Sequence, residues 1–225
     1  MHSISIPSDV RAFVSRRSGG VDPYAQLDPE TTALVVVDMQ NFFMADGEMG
    51  CCVEARDIVP NINRLAYAVR GSGGLVAWIQ NGAAAELMQG WANLEELYTE
   101  EKAALRRERM RPGCEAFELW SDLDVRENDA RVVKSRYSAF APGASELETV
   151  LQQRGIENVL VVGVATNVCC ESTARDAMMR GYRTLMVSDA TATFTDAEHN
   201  AALITFMKFF GEVQPTDTVL ARLQR

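Results

Sequence analysis

The chain is poor in histidine, with only His2 and His199 among 225 residues. Its five cysteines (Cys51, Cys52, Cys114, Cys169 and Cys170) include no CxxC pair. Structural zinc needs nitrogen and sulfur ligands at set spacings, and neither residue type supplies them. No metal and no other cofactor is expected. The odd cysteine count shows no framework spacing, so the expectation is free thiols in a reducing compartment. No apolar run approaches the roughly 20 residues of a membrane-spanning helix. Met1 to Arg17 lacks the apolar core of a secretory signal, which makes the cytoplasm the expected location. Positive charge is scarce as well, and the net charge is −9. The one basic stretch, Arg106-Arg107-Glu108-Arg109-Met110-Arg111, is too short and isolated to form a phosphate-binding face. It reads as a solvated helix end. Neither nucleic acid nor membrane is an expected partner.

What is present suits a globular domain with a substantial core: 47% of residues are hydrophobic and 24% charged. The length fits one large α/β domain. Residues 1–30 are polar and turn-rich, with Gly19-Gly20 and Asp22-Pro23. They read as an arm over the domain surface, or as a short amphipathic helix followed by a loop, ahead of a domain spanning 31–225. Short apolar runs rich in β-branched residues predict strands at Ala33–Val37, Leu75–Ile79, Asn158–Val164 and Arg183–Val187, with shorter ones at Arg131–Lys134 and Glu212–Gln214. Helical spacing predicts helices over Asp57–Arg70, Ser145–Arg154, Asn167–Arg180 and Asp196–Phe210. Glu86 to Met110 is mostly helix-forming and reads as a lid-like excursion. The alternation of strand and helix predicts a three-layer α/β/α fold around a parallel sheet, with ligands bound beyond the carboxyl ends of the strands.

Three chemically capable residues fall at such ends. Asp38 follows the first strand, Lys134 ends the third, and Cys169 lies just past the fourth, in the first turn of a helix. A helix N-terminus and a nearby ammonium both favour a thiolate, so the Cys169 pKa is expected to fall. Asp38 is suited to take the thiol proton and return it to a leaving amine. Backbone N–H groups of the turn Gly163 to Cys169 are suited to a developing oxyanion. Singly, each residue has a plainer reading: a helix-capping carboxylate, a solvated lysine, a small core thiol. Their shared edge of the sheet tips the balance toward a site.

Three blocks, VVVDMQNFF (35–43), VVKSRYSAF (132–140) and VVGVATNVCCESTARDAMMRGYRTLMVSDATAT (161–193), resemble the signatures of the isochorismatase-like cysteine hydrolases. The resemblance spans roughly Thr31 to Val213. It implies a Rossmann-like, mainly parallel six-stranded sheet. It also implies Cys169 as nucleophile, Asp38 as base and proton shuttle, and Lys134 as the residue that stabilises the thiolate. A cis peptide at Val164–Ala165 and an oxyanion hole from the amides of Ala165 and Cys169 complete the implied site. Cys169 argues against the vinyl-ether-cleaving isochorismatases, which lack the nucleophile. The absence of histidine after the first block argues against metal-assisted nicotinamidases.

Within the family the chain is most similar to the ureidoacrylate amidohydrolase group and the related N-carbamoylsarcosine amidases. That similarity implies hydrolysis of a small amide or ureido C–N bond through a thioester, by a homo-oligomer. Asn41, Gln80 and Asn81 are candidates to bind a ureido group, together with Phe43, Trp78, Tyr137 and Thr166. Arg136 reads either as a bidentate partner for a substrate carboxylate or as a surface ion pair. Ala45–Val53 and Ala83–Arg109 depart from the group and are expected to line or cover the pocket. N-carbamoyl amino acids and maleamate-like amides remain alternative substrates. A silent binding protein on the same fold, or a redox role for Cys169-Cys170, are the rival readings.

Overall fold

The computed structural model describes residues 1–20, 22–83 and 91–223. Six strands form one sheet: β1 (Thr32–Val37), β2 (Leu75–Asn81), β3 (Ala130–Lys134), β4 (Asn158–Val164), β5 (Arg183–Ala192) and β6 (Glu212–Gln214). Their order is β3-β2-β1-β4-β5-β6, and every neighbouring pair is parallel. The sheet is thus wholly parallel, where the sequence predicted mainly parallel pairing. β1, β2 and β4 are buried along their whole length, which accounts for their continuous apolar runs.

The helices are α1 (Ser8–Ser18), α2 (Asn41–Met44), α3 (Val59–Gly71), α4 (Ala92–Glu95), α5 (Glu100–Arg109), α6 (Leu147–Gln153), α7 (Glu171–Met179), α8 (Asp196–Phe209) and α9 (Thr216–Leu223). Alternation along each strand sends side chains to two cores. Val35, Val37, Ala77 and Val161 pack with Val14 of α1, Ala174 of α7 and Phe206 of α8. Leu34, Val36, Val76 and Val162 pack on the other face with Ile62 and Leu65 of α3 and Val219 of α9. Each fully buried aliphatic side chain is worth about 1.5–3 kcal/mol, so the two faces together hold the layers.

The chain leaves β1 in one direction through β2 to β3 and occupies the other side with β4, β5 and β6. The strand order therefore reverses between β1 and β4, and the crevice beyond their carboxyl ends is the place where such sheets bind ligands. Registry brings the ends level: Val37 pairs with both Ile79 and Gly163, and Asn81 pairs with Lys134. Gly163 permits the close approach. Its φ is +108°, and a Cβ there would stand 2.1 Å from the Val37 carbonyl oxygen.

Several elements differ from expectation. The predicted helix Asn167–Arg180 is a π-helical turn, Thr166–Cys170, followed by α7. Such turns concentrate at functional sites. β5 runs on through polar Ser188 and Asp189 to Ala192, past a register shift against β4 at Val161/Gly163. The predicted Glu86–Met110 helix is divided: α4 and α5 are separate, and its first residues lie outside those described. The C-terminal helix α9 was not anticipated. Residues 8–18 form α1, the short helix that was one of the two expectations for residues 1–30, and its Val10 and Val14 enter the core.

Candidate active site

Asp38, Lys134 and Cys169 converge at the carboxyl edge of the sheet. Asp38 follows β1 with a positive φ of 54°, a left-handed conformation that aspartate tolerates better than most residues. Its N–H donates to the Ile79 carbonyl at 2.9 Å, and its carbonyl accepts from Gln40 N at 2.8 Å. Lys134, the last residue of β3, has no exposed surface. Its ammonium lies 2.8 Å from Asp38 Oδ2, donates to the Arg136 carbonyl at 3.1 Å, and donates to Cys169 Sγ at 3.4 Å. An ammonium has three donors, and all three have a target. Asp38 Oδ1 is buried with no hydrogen-bond partner among the described residues. The Val164–Ala165 peptide is cis. It leads into the π-helical turn that carries Cys169, where the Val168 and Cys170 amides both donate to the Ala165 carbonyl at 3.1 Å.

Burial governs the titration of this trio. It pushes the Asp38 carboxyl up, against the pull of the Lys134 charge. It pulls Lys134 down, but the Asp38 and Cys169 charges outweigh it and the ammonium is held above its ordinary range. Burial, and then the Asp38 charge, push the Cys169 thiol up, with Lys134 opposing. The expected fall of the Cys169 pKa is therefore reversed. Burial disfavours the thiolate more than one ammonium, itself shared with Asp38, can offset.

A cavity of about 230 Å³ opens onto Cys169. Its wall includes Phe42, Phe43, Asn81, Tyr98, Tyr137, Ala165 and Phe194. Met49, Gly50 and Cys52 come from one of the segments expected to line the pocket, and Tyr98 and Arg106 from the other. An ion pair between Glu48 and Arg109 ties the two segments together. A larger, open groove of about 1030 Å³ lies between α3 and α9, lined by Asn63, Tyr67, Arg70 and Leu220. No cysteine or histidine lines it, and it is remote from the three convergent groups, so the smaller cavity is the candidate site. Among the described residues no cluster of three histidine, cysteine or acidic side chains is placed to hold a metal.

Residues 32–218 match the family model for the isochorismatase domain. The chain belongs to the isochorismatase family. It is an isochorismatase-family hydrolase, and similar proteins agree. A ureidoacrylate amidohydrolase of Klebsiella pneumoniae is 33% identical over 205 residues, covering 84% of this chain and 86% of that protein. A cysteine hydrolase from Pseudomonas syringae superimposes with a TM-score of 0.80 at 28% identity, covering 88% of this chain and 94% of that one. An N-carbamoylsarcosine amidase from Thermoplasma acidophilum does so with a TM-score of 0.67 at 26% identity, covering 83% and 97%.

Within this isochorismatase-family framework the eight residues expected to bind substrate separate into two groups. Phe43, Asn81 and Tyr137 line the cavity. Asn81 is 2% exposed, and its Oδ1 is buried without a partner. The other five do not reach the wall. Trp78 points to the opposite face of the sheet, in the core with Leu34 and Ile62, and its indole N–H donates to Asp129 at 2.8 Å. The strand period of two decides this: Asn81 faces the site, so Trp78 and Gln80 cannot. Gln80 instead donates to the Phe117 carbonyl at 3.0 Å. Asn41 donates to the Glu115 carbonyl at 2.8 Å and lines a neighbouring groove. Thr166 is paired with His199 Nδ1 at 2.9 Å. Arg136 turns back onto Ser135, donating to its carbonyl at 2.8 Å, and lies 5.2 Å over the Trp91 ring.

Sequence reasoning missed Gln40 and Arg106. Gln40 has no exposed surface. Its Nε2 donates to Phe117 O at 2.8 Å, and its Oε1 accepts from Asn81 N at 2.7 Å, which fixes the β2 end against the 115–119 loop. Nothing in the one-dimensional pattern marks that role. Arg106, assigned to a solvated helix end, is 6% exposed and lines the cavity. A signal was present: Ala103, Arg106 and Met110 fall three and four apart, on one helical stripe, and all are buried.

Proposed function

We propose that this chain is a cysteine-dependent amidohydrolase that cleaves the C–N bond of a small ureido or carbamoyl compound, with 3-ureidoacrylate as the first candidate. The observation that carries the reading is the chain Asp38–Lys134–Cys169, with contacts of 2.8 and 3.4 Å, buried at the foot of the cavity. The names of the Klebsiella and Thermoplasma relatives supply the substrate class. The aromatic walls suit a flat, conjugated molecule.

The reaction takes two steps. Cys169 Sγ attacks the carbonyl carbon while its proton passes to Asp38, whose raised pKa makes it the stronger base. The new oxyanion lies among the backbone N–H groups of Ala165 and Cys169. Collapse expels the amine, which leaves with the proton from Asp38, and a thioester remains. Water then attacks the thioester, Asp38 takes the water proton, and the thiol is restored. Lys134 stays protonated throughout and offsets the charge that moves between carboxylate and sulfur. No metal enters either step. The same reading makes the enzyme a cytoplasmic homo-oligomer, which cell fractionation and light scattering test.

Ammonia release from 3-ureidoacrylate, N-carbamoyl amino acids, maleamate and nicotinamide, by wild type and Cys169→Ala side by side, tests the proposal. Turnover of a ureido or carbamoyl compound is expected, and its loss in the variant by about 10⁴-fold or more. Full activity in Cys169→Ala sinks the mechanism. Turnover of nicotinamide alone would reassign the substrate class.

A further inference from the structure

His2 and His199 are the two histidines of the chain, and the fold stacks their rings with centroids 4.4 Å apart. Both are buried, His2 from the N-terminal segment and His199 from α8. Their hydrogen bonds fix opposite tautomers. The backbone N–H of Thr193 donates to His2 Nε2 at 3.0 Å, so that nitrogen holds a lone pair. Nδ1 then carries the proton and donates to Asp196 Oδ1 at 2.7 Å. In His199 the order is reversed. Nε2 lies 3.1 Å from the Ser188 carbonyl, which only accepts, so Nε2 is the donor. Nδ1 accepts from the Thr166 hydroxyl at 2.9 Å. Two lines of bonds thus leave the stacked pair and reach the same place. His199 holds Thr166 directly. His2 holds Thr193, whose hydroxyl donates to Asn167 Oδ1 at 2.7 Å. Thr166 and Asn167 open the π-helical turn that ends in Cys169 and Cys170.

We infer that His2 is a positioning residue for the candidate active site: its Nε2 fixes Thr193, and through Thr193 and Asn167 it holds the turn that carries Cys169 and the amides proposed for the oxyanion. This inference rests on the amidohydrolase reading and adds to it a residue from the far end of the chain. Oxyanion donors act only if they are in place before the charge develops, and a misplacement of about 1 Å can cost about 100-fold in rate. His2 touches neither the sulfur nor the cavity, so its loss slows the chemical step and leaves substrate binding alone. The role needs an acceptor where Nε2 lies. It does not need the ring.

The test compares His2→Gln with His2→Met in the full chain. The two side chains fill similar space, but Gln offers an amide oxygen near the place of Nε2 and Met only a weakly accepting sulfur. Ammonia release from the compounds named above, 3-ureidoacrylate first, gives kcat and KM. Amide hydrogen exchange at Thr193 and across Thr166–Cys170 reads the same proteins without turnover. His2→Met is expected to lower kcat by about 30-fold with KM within about twofold. Exchange at Thr193 and in the turn is expected to quicken by about tenfold or more. His2→Gln is expected to stay within about threefold of wild type in both readouts. Thr193→Val keeps the N–H but removes the hydroxyl from Asn167. It is expected to match the kcat loss of His2→Met, with no further fall in the double variant, and it serves if His2→Met fails to fold. Equal loss in His2→Gln and His2→Met makes the contribution one of packing and overturns the inference. A loss carried by KM, no loss in either variant, or full activity in Thr193→Val overturns it as well. No ammonia from any compound with wild type, while exchange still separates Met from Gln, keeps His2 in its role and overturns the amidohydrolase reading. Turnover by wild type, with kcat and exchange alike in every variant, does the reverse.

Discussion

Lys134 holds a full positive charge with no surface exposed to water, which an isolated ammonium would not sustain. Asp38 at 2.8 Å and the Arg136 carbonyl at 3.1 Å hold it there, leaving the third N–H for the sulfur. Both partners of this pair were legible in the sequence, as charged residues at the ends of apolar strands. The direction of the Cys169 titration was not, because desolvation depends on what encloses the thiol. A second buried group shows the same physics at a distance from the chemistry. His199 has no exposed surface. Its Nδ1 pairs with Thr166 and its Nε2 with the Ser188 carbonyl. Burial, reinforced by the stacked His2 ring at 4.4 Å, lowers its pKa from the ordinary 6.5 to about 4. The unfolded chain therefore binds more protons than the native one between those two values. Stability is full above pH 6.5 and is lost as pH falls toward 4, by about 3 kcal/mol from this residue alone. Urea denaturation across that window is expected to show the slope in wild type. In His199→Gln the slope should flatten, and an unchanged slope would assign the acid sensitivity elsewhere.

At the scale of elements, strands were easier to read than the turns after them. Asn158–Val164 was anticipated to the residue, because a strand buried on both faces is almost continuously apolar, and the short edge strand Glu212–Gln214 also falls at its expected bounds. The π-helical turn at Thr166–Cys170 was not anticipated, since its sequence is compatible with an ordinary helix and only packing against β4 and α8 selects it. β5 was read short for a related reason: Ser188 and Asp189 look like a strand end, yet their polar groups are satisfied by His199, Asn61 and Thr216. Gly163 links these elements, since it lets β4 approach β1 just before the turn. Gly163→Ala places a methyl against the Val37 backbone at a φ of +108°, which is expected to cost about 3–5 kcal/mol. A fall in the urea midpoint without a change in m-value is the expected reading, and a midpoint within error of wild type would show that the β1–β4 contact can yield.

For the molecule as a whole, the N-terminal residues are part of the packed body. Val10 and Val14 of α1 lie in the core with Phe206 and Met207 of α8, and Ser3 and Ser5 bond Asn200 on the same helix. His2 accepts from Thr193 N at 3.0 Å, next to the cavity residue Phe194. Removing residues 1–18 is expected to cost about 3–5 kcal/mol through the two valines alone, measured as a lower thermal midpoint. An unchanged midpoint would make this segment a mere covering. The sequence by itself determined the strand–helix alternation, the parallel sheet and the three residues at its carboxyl edge, because strand burial and strand-end placement are written in local composition. Tertiary structure alone decided the state of the thiol, the choice of Asn81 over Trp78 and Gln80, and the place of Arg106 in the cavity wall. Those depend on desolvation and on which face of an element meets which neighbour, and both arise only when distant segments of the chain come together.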